Sequence, residues 1–136
     1  MITIVLADDH QGVRNGLKCL LDQDREIQII GEASNGLQAI ELTRQLQPDV
    51  LVLDIMMPVM NGFAVAEQMA ADHSPTKIVM LSMHSHEAYI REALCCGAQA
   101  YVLKDDCADE LRNAIIDVQA HKKHISSSLL ETIGLC

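Results

Sequence analysis

Residues 50–62 read Val50-Leu51-Val52-Leu53-Asp54-Ile55-Met56-Met57-Pro58-Val59-Met60-Asn61-Gly62. Four apolar residues run without a break and end in an acid. A short continuous apolar run suits a strand covered on both faces, and such strands belong to parallel sheets. Pro58 and Asn61-Gly62 mark a loop just beyond Asp54. A carboxylate at a strand end can be no more than backbone meeting water. Its meaning depends on what else reaches the same edge of the sheet.

Four more runs recur along the chain, at Ile2–Ala7, Ile27–Ile30, Ile78–Leu81 and Ala100–Leu103. Helical spacing fills the gaps. Val13, Leu17, Leu20 and Leu21 share one face. Ala39, Leu42 and Leu46, with Ile40 beside them, make a second stripe. Phe63, Ala66, Met69 and Ala70 make a third. Ile90, Ala93 and Leu94 make a fourth, with Gly97 as its C-terminal cap. Leu111, Ala114, Ile115 and Val118 make the fifth, and Asp106 with Asp109 reads as a variant capping box. Pro48-Asp49 and Ser74-Pro75 mark breaks before two strands. The alternation predicts an α/β chain: a flavodoxin-like (βα)5 doubly wound parallel sheet in strand order 2-1-3-4-5. The polar stretch His121-Lys122-Lys123-His124-Ile125-Ser126-Ser127-Ser128 predicts the end of the globular unit. Residues 1–121 then form one domain, and 122–136 an extension or the start of a linker. Leu129–Ile133 would add a short helical turn capped by a serine.

The composition bounds the function. The chain has 136 residues, 49% hydrophobic and 21% charged, so it builds one core. One Phe, two Tyr and no Trp leave that core to aliphatic residues and Met. A formal net charge of -9 repels phosphate backbones, so this segment is not expected to bind DNA or RNA itself. No stretch is long enough to span a bilayer, and the first strand stops at Asp8-Asp9 without the features of a signal peptide. The expected compartment is the cytoplasm. Five cysteines without C-x-x-C spacing read as reduced thiols, with one of Cys95 and Cys96 buried on a helix.

In an open parallel sheet, ligands bind outside the carboxyl ends of the strands. There this sequence places Asp8-Asp9 after the first strand and Asp54 after the third. Ser82 ends the fourth and Lys104 the fifth. Only the second, at Gly31-Glu32-Ala33, ends without an obvious reactive group. Each residue alone is ordinary for a wet strand end; together they are not. Three clustered carboxylates raise one another's pKa unless a cation intervenes. A hard divalent ion with oxygen ligands relieves this, and Mg²⁺ also leaves room for phosphate oxygens. A lysine supplies a mobile point charge for an anion, and a serine hydroxyl can donate to a phosphoryl oxygen. The set fits phosphoryl transfer to a side-chain carboxylate.

The motifs "IVLADDH", "LVLDIMMPVMNG", "VMLSMH" and "AYVLKDD" resemble those of two-component response regulator receiver domains. They fall in the family's order and spacing, over Ile2 to about His121. The "DDH", "LSMH" and "KDD" forms are similar to the NarL/FixJ (LuxR-type) subfamily. The resemblance implies Asp54 as phosphoacceptor from a sensor histidine kinase. It implies Mg²⁺ held by Asp9 directly, by Asp8 through water, by Asp54 and by the Met56 backbone carbonyl. Ser82 matches the switch hydroxyl, Lys104 the phosphoryl-pairing lysine and Tyr101 the switch aromatic. Met56 and His84 match positions that flank the phosphoryl group and tune its hydrolysis. Pro58 and Gly62 match loop-shaping positions. The resemblance further implies homodimerisation on phosphorylation, and DNA binding only through a C-terminal helix-turn-helix absent from this chain. A free-standing receiver acting through protein contacts is the alternative.

Rival readings fare worse on the residues. A phosphatase of the haloacid dehalogenase type needs a second Asp two residues after the nucleophile, where Met56 stands. A flavin or nucleotide module needs a Gly-, Ser- or Thr-rich phosphate loop after the first strand, where Asp8-Asp9-His10 stands. His84-Ser85-His86 lacks a third ligand for a transition metal and is expected to be a solvated loop. His10 is expected to begin the first helix, and His73, His121 and His124 to lie on the surface.

Overall fold

A computed structural model describes residues 1–129. Strands β1 (Ile2–Ala7), β2 (Ile27–Ala33), β3 (Val50–Asp54), β4 (Lys77–Ser82) and β5 (Ala100–Leu103) alternate with five helices. These are α1 (Gln11–Leu21), α2 (Gly36–Leu46), α3 (Gly62–Ala71), α4 (Glu87–Cys95) and α5 (Cys107–Gln119). All strand pairs are parallel, and the order is β2-β1-β3-β4-β5 followed by a short β6 (His124–Ile125). The doubly wound sheet expected from the apolar runs is therefore present. Among the described residues no helix is long and apolar enough to cross a membrane.

The period-2 alternation of strand side chains divides the core into two clusters. Val5, Leu51, Leu53, Ile78, Met80 and Tyr101 face the side covered by α2, α3 and α4. Ile4, Leu6, Val50, Val52, Val79 and Val102 face the side covered by α1 and α5. Every residue of β3 is buried, which is why its run shows no polar interruption before Asp54.

Several local expectations shift. The buried stripe of α2 is Gly36, Ala39, Ile40 and Thr43. Leu42 and Leu46 instead lean over Gly31 on the edge strand β2, where the missing side chain leaves room. On α3 the buried set is Gly62, Val65, Ala66 and Met69, so Ala70 faces out. Gly97 does end α4, at φ 105, in a Schellman arrangement: its N–H reaches Leu94 O and that of Ala98 reaches Ala93 O. The Asp106–Asp109 capping box does not form; the Asp106 carboxylate instead accepts from the Ser128 hydroxyl at 2.7 Å. Cys96 is buried and Cys95 exposed, both as free thiols. Burial and the neighbouring Glu67 and Glu92 push the Cys96 thiol up to about 12, so it stays protonated.

The largest departure lies past His121. The chain does not leave the sheet there but returns as β6, which pairs with Ala100 and Tyr101 of β5. His124 is not a surface residue: its ring lies 2.9 Å from Asp117 Oδ2 and 3.1 Å from Glu110 Oε1. Ser127–Leu129 forms a 3-10 turn that buries Leu129, and Leu130–Ile133 of the expected turn lie outside the described residues.

Two glycines fix the loop beyond Asp54. A Cβ on Gly62 would sit 2.7 Å from Asp54 O, and the Gly62 N–H donates to Ile55 O at 2.8 Å. A Cβ on Gly36 would sit 2.1 Å from Met60 O. Replacing a helical Gly by Ala ordinarily stabilises by about 1 kcal/mol. At Gly36 the sign reverses, because the obstacle is backbone. Gly36→Ala is expected to cost roughly 1–3 kcal/mol, read as a lower urea midpoint. An unchanged or higher midpoint would contradict the close approach.

Candidate functional site

The carboxyl ends of β1, β3, β4 and β5 bring the expected residues together. Asp8 and Asp54 are almost fully buried. The Lys104 ammonium donates to Asp8 Oδ2 at 2.9 Å and lies 3.3 Å from Asp54 Oδ2. Lys104 leaves β5 in a 3-10 turn (Lys104–Asp106), from which its side chain reaches back across the sheet edge. Burial pushes the Asp54 carboxyl up to about 6; the Asp8 charge adds to this, while Lys104 and the Met56 N–H pull the other way. Burial works against the Lys104 charge, but the hydrogen bond to Asp8 and the charges of Asp54 and Asp8 win and raise its pKa.

The donors here can hold a hard divalent cation. Asp9 Oδ1 is buried with no hydrogen-bond partner, an orphan that a metal–oxygen bond would satisfy. His10 Nδ1 lies 3.0 Å from that oxygen, outside hydrogen-bond geometry. His10 is the N-cap of α1, as expected, and its side chain is 69% exposed. The Met56 side chain turns to solvent, and its backbone N–H approaches Asp54 Oδ1 at 3.4 Å. The oxygen-only set of Asp8, Asp9, Asp54 and the Met56 backbone suits an ion of the Mg²⁺ class.

Ser82 is buried, and its Oγ accepts the His84 N–H at 2.9 Å. Tyr101 is wholly inside, and its hydroxyl donates to His84 O at 2.8 Å. His84 thus links Ser82 and Tyr101 through its backbone. Its ring stacks on Tyr89 of α4, with centroids 4.3 Å apart and planes 7° from parallel. His86 caps α4, its Nδ1 accepting from the Ala88 N–H, so the two histidines of that loop do not converge on a metal.

Two contributors were not singled out in the sequence. Arg14, 8% exposed, donates to the Asp8 backbone oxygen at 2.5 Å and to Glu32 at 3.1 Å. Glu32 also accepts from Lys18 at 2.9 Å. Its carboxyl is held below the usual range, chiefly by Lys18, with Arg14 helping against burial. The signal was phase: Arg14 occupies the same helical face as Leu17 and Leu21. A charged residue on a buried stripe needs a buried partner.

The chain is similar in sequence and in fold to known proteins. Residues 4–116 match the profile of the response regulator receiver domain. The nitrate/nitrite response regulator NarL of Escherichia coli K12 is 39% identical over 132 residues, covering 97% of this chain and 61% of that protein. The transcriptional regulatory protein LnrK of Bacillus subtilis is 38% identical over 120 residues, covering 88% of this chain and 54% of that protein. The chain thus spans between half and two thirds of the length of these relatives. A LuxR-family two-component response regulator from Aurantimonas sp. SI85-9A1 superposes with TM-score 0.93 at 28% identity, over 98% of this chain and 95% of that one. The receiver domain of a NarL response regulator from Mycobacterium tuberculosis gives 0.86 at 33% identity, over 89% and 98%. On its motifs, its sheet and these similarities, the chain belongs to the response regulator receiver domain family.

Proposed function

We propose that Asp54 accepts a phosphoryl group from a phosphohistidine of a sensor histidine kinase. The observation that carries this is one buried acid, Asp54, facing a lysine 3.3 Å away that also pairs with the buried Asp8. An Asp54 oxygen attacks phosphorus, the new P–O bond forms as the P–N bond breaks, and the histidine nitrogen leaves with the electron pair. Asp8, Asp9, Asp54 and the Met56 carbonyl would hold Mg²⁺, with Asp9 the direct ligand and Asp8 acting through water. Bound there, the ion neutralises charge on the phosphoryl oxygens. Lys104 pairs with one of those oxygens, and Ser82 donates to another in place of its present bond to His84. Arg14 fixes the backbone that presents Asp8.

Tyr101 is the switch aromatic in this reading. Its inward position is sterically open to this sequence, and phosphorylation at Asp54 biases the population that holds it there. The output face comprises α4, β5 and α5. The chain is a phosphoacceptor rather than an enzyme on other substrates, and acts in the cytoplasm. Residues 1–121 carry the phosphorylation site, β6 and the turn after it still belong to the receiver's sheet and core, and the connection to an output domain follows them. That domain is a DNA-binding helix-turn-helix, and phosphorylation favours a homodimer.

Incubation with acetyl phosphate and Mg²⁺ is the test. Acetate leaves as the Asp54–phosphorus bond forms, so intact mass rises by one phosphoryl group and EDTA prevents it. No gain, or a label on another residue, would overturn the proposal.

Met56 offers no group to hold an attacking water, and the His84 ring is engaged with Tyr89. The acyl phosphate is therefore expected to persist for minutes or longer, and Met56→Asn to shorten it severalfold. Decay of the unaltered chain within seconds would contradict this account.

A further inference from the structure

We propose that Ser126 is a positioning residue of the phosphorylation switch, holding the end of β5 and with it Tyr101 and Lys104. The proposal rests on Asp54 being the phosphoacceptor. β5 has four residues, and without β6 it would be the bare edge of the sheet. Ser126 is wholly buried. It grips β5 on both sides of Val102: its N–H donates to Tyr101 O at 2.9 Å, and its hydroxyl accepts the Leu103 N–H at 2.9 Å. Strand pairing has ended at Ile125, so a side chain completes the ladder where a carbonyl otherwise would. The amide it satisfies belongs to the residue just before Lys104.

Ser126 is itself held from outside. His124 bridges Asp117 and Glu110, and the Ser127 N–H and hydroxyl donate to Glu110. Leu129 is buried in the apolar cluster that contains Tyr101. This fastening converges on the strand that carries the switch aromatic and leads into the phosphoryl-pairing lysine. A shift of β5 as Lys104 closes on a phosphoryl oxygen reaches Ser126 directly. If these two bonds tighten when Lys104 closes, Ser126 by linkage favours phosphorylation in return.

The test uses the full 136-residue chain. Ser126→Ala is expected to slow labelling at saturating acetyl phosphate by about fivefold, the worth of one net hydrogen bond, with KM unchanged. Beryllofluoride with Mg²⁺ should bind more weakly by a similar factor, and Ser126→Thr should restore both. A folded Ser126→Ala with unaltered labelling and beryllofluoride affinity would overturn the proposal. Should that variant not fold, amide exchange in the unaltered chain decides. Beryllofluoride should slow exchange at Leu103 by about fivefold, and no change there would overturn it. The two readings separate cleanly. An unaltered chain that takes no label removes the Asp54 reading, whereas equal labelling of parent and Ser126→Ala removes only the positioning role.

Discussion

Asp54→Asn is expected to take up no phosphoryl group and, in EDTA, to unfold at higher urea than the parent. Loss of label follows because the amide lacks the nucleophilic oxygen charge. The gain in stability follows from burial. Asp54 is almost fully buried, and its carboxyl is pushed from 3.8 to about 6, first by burial and then by Asp8. Below about pH 4 the folded and unfolded chains both hold this proton. As pH rises through about 6 the folded carboxyl ionises, having lagged behind the unfolded one, and that share of stability is lost. The difference of about two pH units is worth at most about 3 kcal/mol, and solvent near the site reduces it. The variant should therefore exceed the parent by roughly 1–3 kcal/mol above pH 7 and match it near pH 4. Urea curves at both pH values, and again with Mg²⁺, check this; the ion should narrow the gap. Labelling at the parent's level, or a gap that ignores pH, would show that Asp54 is not the strained nucleophile described.

How much of this was legible follows from the physics of each signal. Apolar runs and helical stripes report burial directly, so the first five strands and the acids at the sheet edge were readable, while their order rested on the arrangement common to five such units. The joint approach of Asp8, Asp54 and Lys104 was inferred from strand ends alone, because one residue at each end is forced to the same edge. Arg14 was missed because a charge on a helix ordinarily reads as solvent-facing, and its partners, the Asp8 carbonyl and Glu32, lie on other elements. The tail was missed for a related reason. His124, Ser126 and Ser127 are polar and read as a solvated exit. Yet each finds a partner on α5 or β5, which sequence separation hides. Polar residues satisfied by tertiary contacts leave no periodicity to detect. The α2 stripe shifted because Gly31 on an edge strand drew Leu42 and Leu46 toward it.

Lys104→Met should reverse the Asp54→Asn result. It removes the cation lying 2.9 Å from Asp8 and 3.3 Å from Asp54, and leaves two buried carboxylates facing each other. Breaking such a pair from one side costs about 3–5 kcal/mol. Lys104 is one of the groups holding the Asp54 carboxyl down, so its loss moves that carboxyl further above about 6. The destabilisation should be largest near pH 8 in EDTA and shrink toward pH 5, where Asp54 takes a proton. Labelling should slow by about 100-fold or more, as for removal of one preorganised donor to a developing charge. Millimolar Mg²⁺ then separates the two roles. The ion neutralises the acids and restores most of the stability, but it cannot supply the hydrogen bonds that Lys104 gives a phosphoryl oxygen, so labelling stays slow. The double variant Asp54→Asn, Lys104→Met carries the same logic further. With Asp54 uncharged, loss of the lysine strands only Asp8, so the double variant should be more stable than Lys104→Met alone by more than Asp54→Asn adds to the parent. A strictly additive result would mean that Lys104 supports the fold through something other than these carboxylates.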